Sequence, residues 1–436
     1  AAHELGRTDV SPAVARALGG VFTVTLLVVP LLQWGLELTD YVNGNRSTAR
    51  PGVIEIFDAP RVAVRVWFLD HGTPPEKLFS ANAQLLTEIQ GYEQRLEDRA
   101  FTTTRLLGPT RHLLARYAGW GTDDVWIGED RWLFYRPDID YITGPGFLDP
   151  RSLLRRRQGV DKAAPDPRPA ILDFHRQLTA RGIQLVLVPT PSKPMVHPGQ
   201  LSGRPLPPEK CHNRSFARLR RELETAGVLV LDPTSLLVNR ARQTGEPQFL
   251  ATDTHWTPQG MQAVAAELAS FLLEHRLVEP RPGQVRFGRQ PKAAMIENRG
   301  DLLSLLNLSN AAAVIPDETV TLQRVLAEGG ESWQPEPGAA VLLLGDSYTN
   351  IFSAPEMGWG ASAGLAEQLA VELQQPLDQI ARNADGAHAT RQQLARELTA
   401  DKDRLAGKRV VIWQFTVREL CSGDWPTIPL PRVEDR

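Results

Sequence analysis

Cysteine is scarce in this chain. Cys211 and Cys421 are the only two among 436 residues, which excludes a disulfide-stapled scaffold and a cysteine-rich zinc module. One bridge between them stays open in an oxidising compartment, because spacing does not say whether they meet. An excess of one charge is also missing. The 48 Lys and Arg face 51 Asp and Glu, for a net −3, without the basic surplus of a nucleic-acid binder. No internal repeat and no long low-complexity tract occur. A G-x-x-x-x-G-K-[ST] phosphate loop is absent, and the glycines of GWGASAG do not follow a strand in dinucleotide spacing. HxH, HExxH and CxxC metal patterns are lacking, as is the G-x-S-x-G elbow of α/β-hydrolases. Neither a metal nor a cofactor is therefore expected. What remains is ordinary globular composition, 42% hydrophobic and 23% charged, long enough for two or three units at roughly 150 residues each.

The first positive signal is a long hydrophobic run. From Ala17 to Leu32 the residues are almost all apolar, and Gln33 and Trp34 follow before Glu37. A membrane span takes about 20 residues, and Trp suits the far interface. Arg7 and Arg16 precede the run, so the positive-inside rule places residues 1–16 in the cytoplasm and the body outside. The sequence after the run, QWGLELTDYV, offers no small-x-small cleavage site. An uncleaved anchor over 17–38 is expected, with a cleaved signal or a buried core helix as alternatives.

Residues 39–120 carry no visible chemistry. They begin with the loop signals NGNRSTARPG, continue with a strand-like alternation at Val62–Phe68, and from about Pro75 show helical spacing through Leu78, Leu85, Leu86, Ile89 and Tyr92. Over 121–436 the pattern changes. Val125–Asp138 reads as paired strands about a Gly-Glu-Asp turn, and KAAPDPRPA reads as a linker. Apolar strands at Ile183–Pro189, Val228–Asp232, Val341–Leu344 and Arg409–Phe415 alternate with helices at Ile171–Ala180, Ser215–Ala226 and Pro258–Leu273. Buried strands alternating with helices indicate a parallel α/β sheet covered on both faces, which binds ligands at the carboxyl ends of its strands.

Polar residues at those ends carry the chemistry. Gly345, Asp346 and Ser347 follow the strand VLLLG directly. Glycine permits the sharp turn, and the serine hydroxyl then projects at the rim with backbone N–H groups near a developing oxyanion. A serine needs a base held by a third group. ATDTHWTPQG supplies Asp253 and His255, which lie on one side if that segment is extended, so the carboxylate fixes the imidazole tautomer. The other eight histidines lack an acidic partner together with a strand-end setting. Blander readings stand beside this one. Gly-Asp-Ser occurs by chance, D-x-H with Asp346 can bind a metal, and Thr257-Pro258 is also a helix start.

Taken together, G-D-S-Y after a buried strand and D-x-H-W-T elsewhere resemble the SGNH-hydrolase-like acetyltransferases, most closely the membrane-anchored branch around the alginate O-acetyltransferases (AlgJ/AlgX-like). IGEDRWLFY, LVLVPTPSKPMVHP and VIWQFTVREL add weaker support. The resemblance implies an SGNH-hydrolase-like, flavodoxin-like α/β fold with circularly permuted motif order, since Asp253 and His255 precede Ser347. It implies Ser347 as nucleophile, His255 as base and then acid, and Asp253 as orienter. Gly345 shapes the nucleophile turn, Asn350 and Arg391 are second oxyanion donor candidates, and Lys193 and Trp359 are candidate contacts to an anionic sugar or its acetyl group. Arg156 and Arg157 read as a solvated face, and Arg131 as a turn variation. The implied partners are a multipass membrane-bound O-acyltransferase as acetyl donor and a secreted polysaccharide as acceptor. The implied location is the bacterial inner membrane with the catalytic domain in the periplasm. A carbohydrate acetylesterase with the same triad, or a non-catalytic scaffold of an export complex, are the alternatives.

Overall fold

The computed structural model describes residues 11–45, 49–69, 72–100, 107–158, 163–203, 212–280, 286–306, 308, 315–383, 385–400 and 403–431. Cys211 lies outside these, so the bridge is not addressed; Cys421 is a half-buried thiol. The chain divides into two compact units, Ala1–Leu113 and Leu114–Arg436.

In the first unit the apolar run is one continuous helix, α1 (Pro12–Val42), started by Ser11, whose hydroxyl accepts from the Val14 N–H, and by Pro12 at its first position. Its apolar side chains face outward. Val21 is 65% and Leu27 62% exposed, so no described element of its own unit buries this stretch as a core helix. At ~1.5 Å per residue, this helix exceeds the ~30 Å hydrocarbon thickness. Its far end is tied down locally: buried Glu37 accepts from the Gly52 N–H at 2.7 Å, and Trp34 Nε1 donates to the Ala49 carbonyl at 3.2 Å. Two helices follow, α2 (Ala59–Leu69) and α3 (Pro74–Arg99), packed on each other. The strand expected at Val62–Phe68 is therefore helix. Val62 and Val66, one turn apart, are half-buried while Val64 and Phe68 are exposed. A run this short fits both periods, and packing against α3 overrides the β-propensity of its valines.

The second unit opens on β1 (Val125–Ile127) and β2 (Leu133–Tyr135), an antiparallel pair as expected. Asp130 and Arg131 take φ 51° and 63° in the turn between them. The central sheet uses β3 (Gln184–Thr190) and β4 (Leu229–Val230). Two antiparallel ribbons are inserted next, from β5 (Phe287–Arg289), β6 (Ala294–Asn298), β7 (Glu318–Leu322) and β8 (Val325–Ala327). The chain then returns to the sheet as β9 (Val341–Gly345), β10 (Asp378–Ala381) and β11 (Val410–Thr416). All five central strands are parallel, in the order β10-β9-β11-β3-β4.

Side-chain alternation builds two cores. Val341, Leu343, Val410 and Ile412 face the helices Pro258–Glu274 and Leu365–Leu373. Leu342, Leu344, Val411 and Trp413 face Pro167–Thr179, Phe216–Thr225 and Ala389–Thr399. This is the doubly covered parallel sheet read from the sequence. Three details differ. The segment read as a linker already starts a helix, because Asp166 accepts from the Arg168 N–H at 3.0 Å with Pro167 at the first helical position. Strand β10 is an edge strand whose Asp378 is fully buried against Arg404 and Lys408, so its polar sequence hid it. Arg156 is not a solvated residue: its guanidinium donates to the carbonyls of Leu420 and Gly423.

Candidate active site

The carboxyl ends of β9 and β11 assemble the site. Gly345 ends β9, and a Cβ there would meet Thr349 Oγ1 at 2.1 Å, so only glycine allows this turn. Asp346 caps the short helix Ser347–Asn350, accepting from the Tyr348 N–H at 2.9 Å with one oxygen and from the Thr416 N–H at 2.8 Å with the other. Both oxygens are thus engaged by the turn, and the acidic group whose donor atoms cluster with Asp253 and His255 is Asp301 rather than Asp346. Gln414 of β11 locks the same turn: Oε1 accepts from the Asp346 N–H at 3.0 Å and from Thr349 Oγ1 at 2.9 Å, while Nε2 donates to Thr190 Oγ1. A glutamine in the middle of a fully buried strand was the available signal for this role.

Ser347 Oγ lies 2.8 Å from His255 Nε2, and His255 Nδ1 lies 2.6 Å from Asp253 Oδ1. The segment carrying the pair is a bend, not the expected extended stretch. Asp253 Oδ1 also accepts from the His255 N–H at 3.1 Å, and this tight turn brings carboxylate and ring together. Two further bonds join base loop and nucleophile turn. Trp256 Nε1 donates to the Tyr348 carbonyl at 3.1 Å, and Tyr348 Oη donates to the Thr254 carbonyl at 2.7 Å. The aromatic residues of H-W and S-Y therefore fix one motif to the other. Thr257 caps the helix Pro258–Glu274 through the Gly260 N–H at 3.1 Å, so the helix-start reading holds beside the catalytic geometry.

Electrostatics follow the geometry. Burial opposes charge on His255, but the charge and hydrogen bond of Asp253 together with the Asp301 carboxylate outweigh it and raise the imidazole pKa above its ordinary value. Burial likewise opposes charge on Asp253. The His255 charge and its hydrogen bonds, with one from Trp359, nevertheless hold this carboxyl well below the usual range.

Asp301 was not singled out from sequence. Its N–H donates to Asp253 Oδ2 at 3.1 Å, and its carboxylate accepts from the Thr254 N–H at 2.8 Å and Thr254 Oγ1 at 2.6 Å. Its Oδ2 stands 3.9 Å from His255 Nδ1, so a second carboxylate flanks the imidazole. The preceding Gly300 admits this approach, since a Cβ would meet the Thr252 carbonyl oxygen at 2.2 Å. Asp253, His255 and Asp301 are close enough to be weighed as metal ligands. Their donor atoms, however, are already turned toward one another and toward Thr254 and Ser347, and this set fits a hydrogen-bonded triad better than an ion.

The other sequence candidates lie in different settings. Trp359 is fully buried and donates its indole N–H to Asp253 Oδ2 at 2.9 Å; it supports the orienting carboxylate rather than facing a sugar. Lys193 is buried on the carbonyls of Leu133 and Ala251, at 2.6 and 3.1 Å, its ammonium pKa pulled down to about 8 by burial, and it is out of a sugar's reach. Arg391 is buried over the Trp413 ring at 4.5 Å and donates to the Pro426 carbonyl, within the core rather than at the oxyanion. Asn350 donates to Asn383 Oδ1 at 3.2 Å and accepts from Gln379 Nε2 at 3.0 Å. Among the other histidines, His212 does have a strand-end acidic partner, contrary to the sequence reading. Its Nε2 lies 3.1 Å from Asp232 Oδ2, and its ring stacks on Phe216 at 4.2 Å. Spacing in the chain gave no hint of that pair.

Comparison with known proteins agrees with this architecture. The family model described as the SGNH hydrolase-like domain of acetyltransferase AlgX matches residues 125–417. A probable alginate O-acetylase AlgJ of Pseudomonas syringae pv. tomato is 25% identical over 307 residues, covering 69% of this chain and 70% of that protein. The protein of the same name from Pseudomonas aeruginosa is 27% identical over 316 residues, covering 69% and 71%. The solved O-acetyltransferase domain of Pseudomonas putida AlgJ shares the fold, with TM-score 0.51 and 22% identity over 68% of this chain and 92% of that one. With the matched region containing Asp253, His255 and Ser347, this chain belongs to the SGNH hydrolase-like acetyltransferase family of AlgX and AlgJ.

Proposed function

We propose that this protein moves an acetyl group through an acetyl-serine on Ser347 to a hydroxyl of a secreted polysaccharide. The observation that carries the reading is the hydrogen-bonded chain from buried Asp253 and His255 to half-buried Ser347, with contacts of 2.6 and 2.8 Å. His255 Nε2 takes the Ser347 proton as Oγ attacks the donor's acyl carbon, and returns it to the departing group as the tetrahedral intermediate collapses. In the second half, His255 takes the proton of the sugar hydroxyl. That oxygen attacks the acetyl-serine, and Ser347 leaves with the proton restored. The Ser347 N–H, at the first position of a helical turn, is the oxyanion donor in this reading. The names of the relatives support alginate or a similar acidic glycan as acceptor, and a multipass membrane-bound O-acyltransferase as donor fits the same reading. Helix α1, long and apolar enough to cross a membrane, is the proposed single-pass anchor, with the catalytic unit in the periplasm.

Transferase and esterase share every step up to the acceptor. The test gives the full chain an activated acetyl ester with and without alginate oligosaccharides. Acetylated sugar formed at the expense of free acetate supports the transferase. Acetate release unaffected by any oligosaccharide makes the protein an esterase.

A further inference from the structure

Beside the catalytic loop, the second unit holds a cavity of about 270 Å³ with no part in the chemistry above. This is near the low end of small-molecule sites, roughly 300–1,000 Å³, and suits a single sugar ring. Its walls include Trp132, His197, Gly199, Arg242 and Glu246.

His197 is 6% exposed and accepts the Gln248 N–H on Nε2 at 3.0 Å, so the ring proton sits on Nδ1. No group among the described residues accepts from that Nδ1, and the ring lines the cavity. Burial and nearby Lys193 hold the imidazole pKa down to about 3, so the ring stays a neutral one-proton donor at ordinary pH. Trp132 is half-buried, with its indole 4.8 Å from the His197 ring. Arg242 and Glu246 are exposed at the rim, and Arg242 has no carboxylate partner among the described residues. An indole beside a buried donor, with free charges of both signs at the mouth, matches a pyranose: apolar C–H face, ring hydroxyls and, in a uronic acid, a carboxylate.

The cavity is also built onto the catalytic loop. Gln248, whose N–H His197 holds, accepts the Thr257 N–H at 2.9 Å through its carbonyl, and Phe249 bridges to Trp256. Leu133, next to Trp132, donates its N–H to the Ala251 carbonyl at 2.9 Å. Cavity wall and base loop are therefore one hydrogen-bonded piece.

We propose that this cavity is an acceptor subsite that binds one uronic acid residue of the glycan chain, away from the residue being acetylated, with Arg242 taking its carboxylate. The inference rests on the polysaccharide reading above.

The test measures binding of alginate and cello-oligosaccharide hexamers to the full chain carrying Ser347→Ala, in detergent, by calorimetry. Gly199→Phe is designed to obstruct the cavity, since Gly199 lies in its wall and a Cβ there meets nothing within 4 Å; Arg242→Ala removes the charge at an exposed position. Melting midpoints show that each variant is folded. The expected result is alginate binding weakened at least about tenfold by Gly199→Phe, and a loss of preference for alginate over the neutral hexamer with Arg242→Ala. Equal affinity in parent and plugged protein overturns the subsite, as does a parent that binds neither hexamer. Failure of the underlying reading is seen separately, as the absence of an acetyl adduct on unmodified Ser347.

Discussion

Three residues around His255 set the protonation of the proposed base. Asp253 orients His255, Trp359 and the Asp301 N–H hold Asp253 Oδ2, and the Asp301 carboxylate stands 3.9 Å from the imidazole. The raised imidazole pKa has a kinetic sign. His255 must be neutral to accept the serine proton, so the acid limb of acylation should have its midpoint above the ordinary histidine value of about 6.5. Asp301→Asn removes a charge that favours the imidazolium and keeps a side chain able to accept from Thr254. The limb should then move to lower pH, by up to about one unit. A pH profile of acetyl-enzyme formation checks this; an unmoved limb would assign Asp301 to loop shape alone.

At the scale of elements, the site depends on close backbone approaches. Gly345 and Gly300 each sit where a Cβ would strike its neighbour, at 2.1 Å from Thr349 Oγ1 and 2.2 Å from the Thr252 carbonyl. The second contact is with backbone and cannot rotate away. Gly300→Ala should therefore displace the Asp301 clasp and lower acylation by roughly 10²-fold, with the fold retained, since the clasp lies outside both sheet-flanking cores; stopped-flow acylation with thermal melting separates the two effects. This pattern also explains what was legible in advance. The strands behind Ser347 and their helices announced themselves by uninterrupted apolar runs, and the triad lay in short motifs next to them. The contributions of Asp301, Gln414 and the buried indole of Trp359 arise from contacts across 47 to 106 residues of chain, which no local pattern encodes. Lys193 misled for the same reason. Its charge looked like a surface ligand, yet two backbone carbonyls hold it inside.

For the whole molecule, the two units have separable roles in this account. Helix α1 exposes an unbroken apolar surface, including Phe22 at 64% and Leu31 at 62%, and no described element of its own unit covers that stretch. Expressed in a bacterial host, the full chain should stay in the membrane pellet after alkaline carbonate extraction. Arg replacements at Leu26 and Leu27 should release it, at a cost of about 2.5–3.5 kcal/mol each for a span. Release of the unmodified chain would remove the anchor while leaving the catalytic reading intact.

The central claim is that Ser347 becomes acetylated through His255 and Asp253. Intact-mass spectrometry of the full chain after brief exposure to an activated acetyl ester tests it most directly. The account predicts one added acetyl group on the unmodified protein, mapped to the Ser347 peptide, and none on Ser347→Ala or His255→Ala. An adduct that persists in Ser347→Ala, or no adduct while the ester is still consumed, would contradict it.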